Sequence, residues 1–87
     1  MDELEQAKQR YEKVLPAATA IRSATYMADL RRMSHHCVKL LDEISKESVV
    51  CRQRKTVTTK YTELVTKYAE SVDVLEKYVM LAHLSGG

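Results

Sequence analysis

Glycine and proline are almost missing: two glycines stand together at the C-terminal end and Pro16 is alone. Tight hairpin turns draw on these residues, so the chain has little from which to build a sheet of short, closely connected strands. Tryptophan and phenylalanine are absent, which removes two strong strand formers. No apolar run approaches the ~20 residues of a membrane-spanning helix. The two cysteines, in a chain without a charged-then-apolar leader, fit a reducing, intracellular and cytoplasmic setting better than a disulfide scaffold. A net charge of +2 is too small to imply much about partners. Eighty-seven residues allow one domain, spanning 1–87, with a thin stability margin.

What is abundant favours helices: leucine, lysine, glutamate, alanine and methionine. From Thr56 to Leu84, one apolar stripe persists through Val57, Tyr61, Leu64, Val65, Tyr68, Val72, Leu75, Tyr78, Val79 and Ala82. Steps of three and four residues are helical. A helix with that much one-sided apolar surface is poorly stable alone, so something else in this chain, or in another chain, must cover it. Tyr68 and Leu75, at the middle of the widest part, are expected to be among the most buried positions.

The first segment opens with Asp2, a candidate N-cap, and Glu5 three residues on. Leu4, Ala7, Tyr11, Val14, Ala18 and Ile21 repeat at helical spacing through Pro16, which should kink a helix near Glu12. The phase is lost between Ile21 and Leu30, so a connection is expected at Arg22 to Thr25, with Ser23 or Thr25 as cap. A second helix carries Met27, Leu30, Met33, Cys37, Leu40, Leu41 and Ile44 inward and Arg31, Arg32, Lys39, Glu43 and Lys46 outward. Glu47, Arg54 and Thr58 then interrupt the apolar repeat, and Val49, Val50 and residues 56–59 are poor helix formers. The spacing therefore predicts helices over about 3–22, 26–46 and 56–84, packed as an all-α antiparallel three-helix bundle. The alternative is a continuous helix from about Met27 to Leu84, since Cys51, Val65, Val72 and Val79 keep the Leu30 register at seven-residue spacing. Such helices would pair as a coiled-coil dimer. Val38, Leu41, Leu64 and Tyr78 widen the stripe beyond a two-position seam, which favours the bundle.

Charge is unevenly distributed. Residues 1–29 carry four basic against five acidic side chains (−1), residues 30–61 eight against three (+5), and residues 62–87 two against four (−2). A basic middle folded back on acidic ends would be attracted to them; otherwise it is free for acidic partners. Arg52, Arg54, Lys55 and Lys60 lie in a stretch without acids and form a candidate interaction patch for phosphate or anionic lipid headgroups. No interleaved aromatic set or nucleic-acid motif accompanies them, so nucleic acid and membrane are disfavoured partners. Arg31-Arg32-Met33-Ser34 and Arg54-Lys55-Thr56 make Ser34 and Thr56 candidate phosphorylation sites for basophilic kinases.

His35, His36 and Cys37 invite a metal, but consecutive helical residues diverge by ~100° and none has a ligand at i+4. Cys37 and Cys51 read as two buried thiols rather than nucleophiles, and the tyrosines as core-edge residues whose hydroxyls reach water. No catalytic set, metal site or cofactor is expected.

The run Thr58-Thr59-Lys60-Tyr61-Thr62-Glu63-Leu64-Val65-Thr66, followed by Tyr68, resembles the helix that closes the last spectrin-like repeat of plakin cytolinkers. Within residues 56–72 the resemblance covers about a fifth of the chain. It implies a spectrin-repeat-like bundle leading toward a rod, with a role in linking cytoskeletal elements. The residues and the resemblance point to the same class: a non-enzymatic helical interaction or scaffold module whose partner is a helical protein or a second copy. A coiled-coil spacer, and a peripheral binder of anionic membrane or nucleic acid through the basic centre, are the alternatives.

Overall fold

Asp2 opens the first helix as the sequence suggests. Its carboxylate accepts a hydrogen bond from the backbone N–H of Glu5 at 2.8 Å, filling one of the donors a helix start leaves free. The structure, a computed structural model, describes residues 2–85. Helix α1 covers Glu3–Ala20, α2 covers Ala24–Arg54 and α3 covers Thr59–Leu84. They form an antiparallel three-helix bundle, 49 Å in its longest dimension. That length is close to the ~46 Å expected of the 31-residue α2 at 1.5 Å per residue. Pro16 lies inside α1 on an exposed side shared with Glu12, where the missing amide partner costs least.

The long stripe is indeed the hub. α3 packs extensively against both other helices, whereas α1 and α2 touch each other at few points. Leu64, Val65, Tyr68, Val72, Leu75, Val79 and Ala82 on α3 are buried. They meet Ala7, Tyr11 and Ala18 from α1, Ile21 from its C-terminal end, and Leu30, Cys37, Leu40 and Ile44 from α2. Tyr68 and Leu75 are both fully buried. The rings of Tyr11 and Tyr68 stand 6.3 Å apart at 56°, a tilted contact within the range aromatic pairs favour.

Several sequence-based boundaries are corrected. α1 ends at Ala20 and α2 starts at Ala24, so the first connection is Ile21 to Ser23, with Ser23 at the N-cap position but without a side-chain cap bond. α2 does not stop near Lys46 but runs on to Arg54, and α3 starts at Thr59 rather than Thr56. The turn, residues 55–58, rules out a continuous helix from Met27 to Leu84 and the dimer of long helices built on it. It is made without glycine. Lys55 adopts the left-handed conformation (φ 58°), which glycine usually supplies at a helix end. Its N–H bonds to the Arg52 carbonyl at 3.3 Å and the Thr56 N–H to the Cys51 carbonyl at 3.1 Å, the paired pattern of a Schellman motif.

Glu47 and Thr58, which interrupt the apolar repeat, hold this turn together. The Thr58 hydroxyl accepts from the Tyr61 N–H (3.1 Å) as N-cap of α3 and donates to Glu47 Oε1 (2.7 Å). The Thr58 N–H reaches Cys51 Sγ at 3.5 Å. Cys51 is therefore half-buried beside the turn and not a second core thiol, and Val57, placed in the stripe by its spacing, is an exposed turn residue. Among the described residues no helix is long and apolar enough to cross a membrane.

Candidate interaction surface

The candidate basic patch gathers at one end of the bundle. Arg52 and Arg54 close α2, Lys55 lies in the turn and Lys60 in the first turn of α3; all four are exposed. Basic side chains at the end of α2 face its negative pole, which suits them without any ligand. Thr56 is exposed in the same turn. Ser34 is placed differently. It is half-buried within α2, and its Oγ lies 2.9 Å from the Tyr11 hydroxyl of α1. His35 and His36 are both exposed, and among the described residues no three or more His, Cys, Asp or Glu side chains are grouped to hold a metal ion.

The side facing α3 is chemically inert and well packed. Cys37 is fully buried, and burial pushes its thiol up to about 11 from an ordinary 9.0, so it carries its proton at neutral pH. Tyr68 is raised as well, first by burial and then by Cys37 and Tyr11 nearby. Its hydroxyl is buried, contrary to the sequence-based reading, and has no hydrogen-bond partner among the described residues. Across the α1/α3 seam, Arg10 is clamped by Asp73 and by Glu76, whose Oε1 lies 2.6 Å from the guanidinium. The hydrogen bond to Glu76 leads the causes that raise the Arg10 pKa. These inter-helix ion pairs join the first and last helices, not the basic middle to the acidic ends.

The α1/α2 seam is open. Because α3 separates the two helices, a groove runs between them in two parts. A larger part of about 480 Å³ is lined by Leu15, Ala18, Ile21, Met27, Leu30 and Val38, with Thr19, Arg22, Arg31, Ser34 and His35 at its margins. A smaller part of about 230 Å³, lined by Leu4, Leu41, Ile44 and Tyr61 with Lys8, Ser45, Ser48 and Arg52, continues toward the turn. Val38 is 53% exposed, a large apolar side chain on the face of α2 that no helix of this chain covers. Apart from Arg52, none of these marginal side chains belongs to the sequence-based patch. The one signal that could have found them is the width of the α2 stripe, with Val38 and Leu41 flanking Cys37 and Leu40 on one side.

Comparison with protein-family models, curated proteins and solved structures finds no match to this chain.

Proposed function

We propose that this chain is a non-enzymatic interaction or scaffold module of an intracellular, cytoplasmic assembly, and that its working surface is the α1/α2 groove, which takes a helix of a protein partner. The observation that carries the reading is the open seam itself. Two helices that each pack on the third and touch each other at few points leave an apolar groove between them, the kind of surface an amphipathic helix can lie in. An exposed Val38 beside half-buried Leu15 and Met27 gives such a helix something to cover. The two free thiols, Cys37 and Cys51, suit a reducing compartment. The plakin-like run at the start of α3 suggests a cytoskeletal assembly as the setting.

The test is a set of amphipathic helical peptides with one common apolar face and acidic, neutral or basic polar faces, titrated into the isotope-labelled chain. Amide shifts confined to the groove, around Leu15, Arg31 and Val38, are the expected result for at least one peptide. Shifts elsewhere, or none with any of the three, would overturn the reading. A second reading is favoured by the four exposed basic groups at the turn: binding of anionic membrane or nucleic acid at that end. It predicts salt-sensitive binding to anionic vesicles or duplex DNA, lost on replacing Arg54 and Lys55 together.

A further inference from the structure

The groove is apolar at its floor and one-signed at its rim. Lys8, Arg22, Arg31 and Arg52 line it, and none of the residues lining either part is Asp or Glu. The four cations are not equally available. Arg22 lies against the end of α1, its Nη1 donating to the carbonyls of Thr19 (2.8 Å) and Ile21 (3.4 Å). Lys8 has Glu5 at 3.6 Å. Arg31 and Arg52 form no ion pair among the described residues, and both are exposed. On the α1/α3 side, by contrast, Arg10 is neutralised by Asp73 and Glu76 of the same chain. Arg10 is matched within the chain where the seam is closed; at the open seam Arg31 and Arg52 are the two lining cations without an ion pair or a carbonyl partner among the described residues.

We infer that the segment seated in the α1/α2 groove is an acidic amphipathic helix of a protein partner, an inference that rests on the groove reading above. Arg31 precedes His35 by four residues and Val38 by seven, so the three share one face of α2. A carboxylate on the edge of the incoming helix meets Arg31 while its apolar face covers Val38. Arg31 and Arg52 are 21 positions apart in one helix, ~32 Å at 1.5 Å per residue. A partner helix with acids toward both ends and an apolar middle meets both. The recessed floor between two helices favours a helix over a lipid surface, which presents no ridge to enter it.

The same three peptides, with anionic vesicles as a fourth arm, decide it on the full 87-residue chain. The acidic peptide is expected to bind about tenfold more tightly than the basic one at low salt, with the advantage shrinking as salt rises. Replacing Arg31 and Arg52 together by Gln, both exposed and in a helix that tolerates Gln, should bring the acidic peptide to the neutral one's affinity while the circular dichroism spectrum stays unchanged. Equal or tighter binding of the neutral or basic peptide overturns this inference and leaves the interaction module standing. Binding of no peptide overturns both. Groove shifts produced by vesicles and by none of the peptides replace the protein helix with a membrane.

Discussion

Two seams of this bundle are built from similar residues and end differently. Where α1 meets α3, small and aromatic side chains interlock, Tyr11 against Tyr68, and Arg10 closes the rim with Asp73 and Glu76. Where α1 faces α2, the same helix offers Leu4, Leu15 and Ala18 to a gap, with the Tyr11 to Ser34 hydrogen bond as a crossing point. The difference teaches that apolar patterning alone does not close a seam. α3 has buried residues on faces toward both neighbours and so draws each to itself, leaving α1 and α2 the residual space. A helix that serves two partners sets the distance between them.

The contrast predicts a gradient of substitution effects. Leu75→Ala, at the centre of the closed side, should cost about 2–5 kcal/mol in urea unfolding, close to the whole margin of a domain of this size. A retained midpoint would show that α3 is not the hub. Alkaline pH attacks the same side. The native state keeps the Cys37 proton while the unfolded chain releases it from about 9.0, so this contribution is complete below pH 9 and is lost as pH rises toward about 11. The shift of Tyr68 has the same sign. Cys37→Ala should flatten the decline between pH 9.0 and 10.0, where the buried thiol alone is shifted past its unfolded value.

Removing the clamp should matter less. The carboxylates and the guanidinium are partly exposed, so Arg10→Met is expected to cost no more than about 1 kcal/mol, and less at high salt. A larger loss would mean that the α1/α3 rim is sealed by charge and not by packing. Val38→Lys should be nearly silent, within about 0.5 kcal/mol, because the side chain already faces solvent in the open groove. A strong destabilisation there would contradict the open seam.

Much of this architecture was legible in the spacing of apolar residues, since the stripe through Tyr68 and Leu75 requires cover on two sides. The Asp2 cap was legible because its chemistry is local. The end of α2 was not. Glu47 and Thr58 stand in the sequence only as interruptions of the apolar repeat, yet they are partners across the hairpin, and only the fold brings side chains eleven positions apart within 2.7 Å. The turn carried no glycine signal because Lys55 takes the left-handed position itself. The groove was hidden for a related reason: Val38 fits a broad core stripe equally well whether or not a second helix closes over it. Tyr68 was expected to reach water with its hydroxyl, but its ring sits too deep among α1 and α2 for that.

The left-handed Lys55 has a consequence for how two molecules can meet. A hairpin joined by a residue that dislikes its own backbone angle is a strained hinge, and the heptad register of Leu30, Cys37, Ile44 and Cys51 is interrupted at Thr58 and resumes beyond it at Val65, Val72 and Val79. If the turn opens, two chains can exchange α3 and keep the packing between helices while giving up the turn's own bonds from Thr58 to Glu47 and Cys51, a domain swap. The exchange releases the backbone cost at Lys55, and because it joins two chains a higher protein concentration favours it. Lys55→Gly relieves that cost within the hairpin, should stabilise the monomer by about 0.5–1 kcal/mol, and should lower the swapped fraction seen by size-exclusion chromatography after refolding at high concentration.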